Sequence, residues 1–278
     1  MAAFAAPSSR AIVFGTVLLA CSCAARTPRP GYEPRGRFVD HAPSPVQIVE
    51  ELAAREAAVA NFRGQAHLVY DGPQGAAKSS QMIVVQSPDR VRIDVMSPFG
   101  PSYTVAASGD RLRAYDRAEK ILYVGSTTPE NLTRYTRVSL RIDVLAMLIR
   151  GLPPMISGTE AGHVVAGAAS WVWTVGVAGG GRLRVELDRN QLRPLRATLT
   201  ATSPADALSV EFDDYRDVSG VEVPHRIRAR LGDGGVVKLE YSRIWRAVQL
   251  TATAFEIDPP SGVRVVGMDL DGADARAR

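Results

Sequence analysis

The chain has 278 residues, 46% hydrophobic and 22% charged, which excludes a disordered polypeptide and leaves ample length for a buried core. Basic residues exceed acidic ones by 33 to 29, and a net charge of +4, dispersed along the chain, does not suit a nucleic-acid binder. Both cysteines, Cys21 and Cys23, lie near the start, so the rest of the chain offers no thiol nucleophile, no cysteine-ligated metal and no disulfide framework.

Residues 11–20 form an uncharged apolar run behind Arg10, the pattern of a secretory leader and too short for the ~20 apolar residues of a membrane span. The run ends at Leu18-Leu19-Ala20-Cys21, which resembles a bacterial lipobox. That resemblance implies cleavage after residue 20 and acyl chains on Cys21, enough for durable anchoring. An ordinary cleaved leader with two incidental cysteines is the alternative. Ser22 follows Cys21 where an Asp is usual in lipoproteins kept at the inner membrane, so an outer-membrane, periplasm-facing location in a Gram-negative bacterium is expected. Residues 21–44, with Pro28, Pro30, Pro34 and Pro43, read as the lipidated cysteine and its tether.

Ser44-Pro45-Val46-Gln47 is a capping box with proline at the first helical position. Ile48, Leu52, Val59 and Phe62 then recur near the helical period, predicting about four helical turns ending near Gly64. From Gln65 the period becomes two. Segments 65–70, 80–86, 90–96, 102–107, 111–115 and 120–124 read as an antiparallel meander broken by turn residues. Thr128-Pro129-Glu130 opens a short helix, and Ser139 is expected to cap a second that carries Leu145 and Leu148 and is apolar on most sides. A second strand series follows at 163–167, 170–177, 182–188, 193–200, 207–213, 225–231 and 236–243. Its alternation leaves one face apolar and the other charged, as Leu183, Val185 and Leu187 against Arg182, Arg184 and Glu186 illustrate. Strands, helices, then strands predict a mainly β protein with helices (α+β): one strongly curved, unclosed antiparallel sheet wrapping a helical plug. A single domain is expected over 45–270, followed by a frayed tail at 271–278.

Catalytic motifs are absent from the sequence. The four histidines, His41, His67, His163 and His225, have no partners at metal-ligand spacing, and there is neither a nucleophile elbow nor a phosphate-binding loop. Asp213-Asp214 reads as a pair of turn carboxylates closing a strand. No enzymatic activity, cofactor or metal is expected. Phe99 stands out, because it occupies a Pro- and Gly-framed turn, Ser97-Pro98-Phe99-Gly100-Pro101, where polar residues are usual. It either folds back over the sheet edge or projects as a contact surface.

The order of Phe62-Arg63-Gly64, Ser87-Pro88-Asp89-Arg90-Val91-Arg92, Ser97-Pro98-Phe99-Gly100, Tyr123-Val124-Gly125, Val138-Ser139-Leu140 and Gly151-Leu152-Pro153 resembles the LolA/LolB superfamily of lipoprotein-trafficking proteins. The resemblance implies an unclosed β-barrel whose apolar concave face receives acyl chains under a helical lid. With the lipobox, it implies a LolB-like receptor that takes acylated lipoproteins, or another lipid, from a periplasmic LolA-like carrier and inserts them into the outer membrane. Pro98, Phe99 and Gly100 would then form the membrane-insertion loop. Trp171, Trp173, Val185, Leu195 and Phe212 would line the cavity, and the helix at 139–150, with Leu145 and Leu148, would be its movable lid. A structural or sensing envelope lipoprotein, or a carrier of another lipid, is the alternative use of the same fold. No residue corresponds to the lid-locking arginine of the soluble carrier.

Overall fold

The computed structural model describes residues 41–155, 162–177 and 180–268, all within one compact unit, Arg35–Arg278. The expected leader, Cys21, the tether up to residue 40 and the tail at 271–278 lie outside the described residues. Helix α1, Pro45–Ala58, begins with the reciprocal capping box: the Ser44 Oγ accepts from the Gln47 N–H, and the Gln47 side chain accepts from the Ser44 N–H. It stops six residues earlier than the periodicity predicts. Phe62 and Gly64 belong instead to strand β1, Asn61–Gly72, where Phe62 meets the Tyr241 ring edge-on with centroids 5.5 Å apart. Gly64 is required by that ring rather than by a helix end, since a Cβ there would come within 2.5 Å of it.

The meander follows as expected: β2 (Gly75–Gln86), β3 (Arg90–Ser97), β4 (Gly100–Ser108), β5 (Arg111–Asp116) and β6 (Ile121–Ser126). Helix α2, Pro129–Thr136, is capped by the Thr128 hydroxyl and ends at Arg137 in the left-handed region, φ 62°. Helix α3, Ile142–Ile149, starts two residues later than predicted, because Arg141 and not Ser139 is its N-cap. The second series comprises β7 (His163–Ala166), β8 (Ser170–Val177), β9 (Gly181–Asp188), β10 (Pro194–Thr200), β11 (Leu208–Val218), β12 (Val221–Leu231) and β13 (Val236–Arg246). Asp213-Asp214 does not close its strand. Asp214 takes φ 55°, and β11 continues in unchanged register, pairing Tyr215 with Pro224, to a hairpin at Ser219-Gly220. A final strand without a sequence expectation, β14 (Arg264–Gly267), runs parallel to β6.

All fourteen strands form one unclosed sheet in the order β14-β6-β5-β4-β3-β2-β1-β13-β12-β11-β10-β9-β8-β7, antiparallel except at β14. The two series therefore meet at a single seam, β1 against β13. Extra residues curve the sheet: Ser242 at the seam, Ser102 in β4 and Leu195 in β10 are each left over where the register shifts. Arg184–Glu186, Arg196–Glu211 and Arg226–Asp213 pairs lie on the wet convex face. Such exposed pairs contribute little.

Helix α1 plugs one end of the concave side, with Ile48 and Leu52 fully buried. There Arg55 donates to the Gln191 carbonyl in the β9–β10 turn (2.7 Å), and the Ser87 N–H of the β2–β3 turn donates to the Ala60 carbonyl. Helix α3 runs toward this plugged end. Its last carbonyls accept from neighbours: Ile149 from the buried Tyr241 hydroxyl (2.7 Å) and Ala146 from Arg150 Nε (2.9 Å). Arg150 is 1% exposed and reaches Glu56 of α1 at 3.3 Å, while Glu56 also accepts from the Ser87 hydroxyl. Burial pulls the Arg150 guanidinium below its ordinary pKa, and the Glu56 carboxylate opposes that shift. Gly151 at φ 79° ends the segment, and no Cβ would fit there against Pro224.

Candidate functional site

Between α3 and the concave face lies a cavity of about 460 Å³, within the ~300–1,000 Å³ usual for small-molecule sites. Its floor spans both sides of the β1–β13 seam. Leu68, Ile83, Ile93 and Val105 come from β1–β4, and Ile227, Ala229 and Leu239 from β12 and β13. Its roof is α3, through Leu145, Leu148 and Ile149, together with the 134–140 link from α2. The lining is thus aliphatic for most of its depth, which suits a hydrocarbon chain: lipid contacts there replace contacts with water at a gain.

Polar groups gather at one end. Tyr70 and Gln81 are 2% and 7% exposed, and neither the Tyr70 hydroxyl nor the Gln81 Oε1 has a hydrogen-bond partner. Burial pushes the Tyr103 phenol well above its ordinary range, and Tyr135, Asp116 and Tyr123 add to the shift, so it stays neutral at physiological pH. Arg137, which donates to the Gln74 carbonyl of the β1–β2 hairpin, completes this rim.

The structure places the sequence-predicted residues unevenly. Leu145 and Leu148 line the cavity from α3, as expected of the covering helix. Trp171, Trp173, Val185, Leu195 and Phe212 do not line it. Trp171, Trp173, Val185 and Phe212 are 6% exposed or less in the packed core shared with Ile48 and Leu52 of α1. The apolar face they predict is real, but the helix plug and their own bulk fill it. Leu195 fails for a different reason: as the extra residue of the β10 bulge it drops out of the alternation, and Ala197 takes the inward position. Sequence reasoning missed the residues that do line the hollow. Leu68, Ile83, Ile93 and Ile227 sit on inward strand positions like any core residue, and only the placement of α3 distinguishes them.

Phe99 projects: it is 88% exposed at the tip of the β3–β4 hairpin, and the neighbouring Met96 is 39% exposed. The tip is rigidly built. Ser97 Oγ donates to the Gly100 carbonyl (2.6 Å) and accepts from the Phe99 N–H, Arg117 donates to the Phe99 carbonyl (3.2 Å), and Gly100 supplies φ 99°. Because Ser80 pairs with Met96, Pro98 and Phe99 stand level with Lys78 and Ala77 of β2. The exposed aromatic and the polar rim therefore share one end of the sheet. Of the histidines, His41, His67 and His163 are exposed. His225 is buried against the Val223 carbonyl, and burial lowers its pKa. Among the described residues no three His, Cys, Asp or Glu side chains cluster as a metal site, and no helix is long and apolar enough to cross a membrane.

The architecture is that of a LolA-type open half-barrel. A DUF1329 family protein from Desulfovibrio piger superposes with a TM-score of 0.54 at 13% identity, covering 77% of this chain and 98% of that one. A LolA superfamily protein from Nitrosomonas europaea does so with 0.53 at 13% identity, covering 78% and 99%. The sequence matches no family model and no curated protein. The LolA/LolB-like relationship read from the motifs accordingly holds at the level of fold.

Proposed function

We propose that the chain is an outer-membrane-anchored, non-enzymatic lipoprotein that binds acyl chains in the cavity under α3 and helps to receive and insert lipoproteins at the membrane. The observation that carries this reading is the aliphatic hollow opening at the same end as Phe99. An acyl chain withdrawn from water fills the hollow, and Phe99 enters the lipid boundary when the protein docks mouth-first. Binding alone drives the process, with no covalent step, and a periplasmic LolA-like carrier would supply the cargo. The lipobox at Cys21 supports the anchor, and Ser22 supports the outer membrane.

Depletion in the native host tests the delivery role: other outer-membrane lipoproteins are expected to accumulate in the periplasm or inner membrane, and unchanged fractionation would refute it. Photocrosslinkers at Ile93 and Ile227, both lining the cavity, should capture acylated cargo, whereas one at Trp173, in the packed core, should not.

A further inference from the structure

The strand register fixes the length of the cavity floor. On β2 the inward residues Ala77, Ser79, Gln81 and Ile83 line it in succession, whereas Val85, the next inward residue, does not and is 0% exposed. From Ala77 to Ile83 the strand advances six residues, about 20 Å at the usual rise of ~3.3 Å. The blind end is walled by groups that are themselves held in place. Ile83 pairs with Gly64, over which the Tyr241 ring lies, and the Tyr241 hydroxyl donates to the Ile149 carbonyl at the end of α3. At the other end Ala77 is one inward position from Gly75 in the exposed β1–β2 turn, so the hollow opens there.

Length and volume convert into carbon atoms independently of each other. A tetrahedral chain with bonds of ~1.5 Å advances about 1.25 Å per bond, so about 20 Å accepts about 16 carbons. A cavity of about 150 Å³ holds the six carbons of benzene, about 25 Å³ for each. On that scale the 460 Å³ under α3 accepts about 18 carbons. The two counts agree only if the hollow is one chain wide. A second chain of the same length would need about 900 Å³.

We infer that the cavity is a ruler for a single unbranched acyl chain of about 16–18 carbons, which lies along β2 with its head at the Ala77 end and its terminal methyl against Ile83 and Ile149. The inference rests on the acyl-chain reading above and narrows its ligand to one chain for each protein. A cargo with several chains places one of them here and keeps the others outside the cavity. Discrimination by length follows from the blind end: each methylene that finds no room stays in water and forfeits about fourfold in affinity.

Lipid uptake by the full purified chain tests it. The protein is incubated with dioleoylphosphatidylcholine vesicles that carry traces of saturated lysophosphatidylcholines of twelve to twenty-two carbons, then separated, and its bound lipid is counted by mass spectrometry. Vesicle and cavity hold each methylene alike, so uptake relative to vesicle content should stay level to about eighteen carbons and fall at least about tenfold by twenty-two. Bound lipid should not exceed one molecule for each protein, and the two-chain host lipid should be retained at least about tenfold less than the eighteen-carbon lysolipid at equal vesicle content. Ile83→Ala removes three carbons from the blind end and should move the limit to chains about two or three carbons longer. Level uptake through twenty-two carbons, or two chains bound to one protein, would overturn the ruler and leave the acyl-chain reading standing. A limit unmoved in folded Ile83→Ala would overturn the placement of the methyl end and the ruler with it, and the wild-type profile decides if that variant does not fold. Retention of no lysolipid of any length would overturn both readings.

Discussion

Phe99 is the residue at which sequence and structure meet most directly. A turn framed by Pro98 and Gly100 gives an aromatic no alternation partner, and the side chain stands 88% exposed on a hairpin braced by Ser97 and Arg117. Since it buries nothing, Phe99→Glu should leave the melting temperature within about a degree or two of wild type, as surface substitutions usually stay within about 0.5 kcal/mol. The same change should weaken association with liposomes and slow cargo release into them, because inserting a phenyl ring at a lipid boundary is worth up to about 2–3 kcal/mol and a carboxylate forfeits it. Thermal melts and liposome transfer on this one variant separate the possibilities. Unimpaired transfer would remove the insertion role.

At the scale of elements, α3 is fastened at one end. Its C-terminal turn is held by Tyr241, by Gly151 against Pro224, and by Arg150 bonded to Glu56 of α1, whereas its N-terminal end is held by the half-buried Ile142 and by the exposed Arg141–Asp143 pair. If α3 moves as a lid, its pivot is the Arg150 end. Glu56→Ala should cost about 3–5 kcal/mol, because it strands a buried guanidinium, while Arg150→Met, which removes the charge and keeps the bulk, should cost less. Chemical denaturation of the two variants checks that order, and a reversed order would mean that the pair is solvated. Most of these elements were legible in advance. Period-two alternation located β1–β6 and β8–β13 because one face of each is buried, and Thr128-Pro129 located α2. Phe62 misled because its spacing from Ile48 and Leu52 fits a helix, though it faces Tyr241 from a strand. β14 escaped because four residues on an edge, with Val265 64% exposed, carry no alternation.

Across the whole molecule, one continuous sheet has two kinds of interior. Toward β7–β11, Trp171, Trp173 and Phe212 pack solidly with α1, whereas across the β1–β13 seam smaller aliphatic residues under α3 leave the cavity. The sequence could not draw that line: inward Val185 and inward Val237 read identically by alternation, and what separates them is the long-range placement of two helices. The division is nonetheless testable with one substitution made twice. Val185→Trp adds bulk where exposure is 0% and no space exists, so overpacking should cost about 1–3 kcal/mol or more, seen as a lower melting temperature. Val237→Trp places the same side chain at the cavity wall, where the added ring finds room and apolar contacts. Its melting temperature should hold or rise, while uptake of a pyrenyl alkane falls at least about fivefold. If both variants melt alike and bind the probe alike, the hollow under α3 is not the place where hydrocarbon is held.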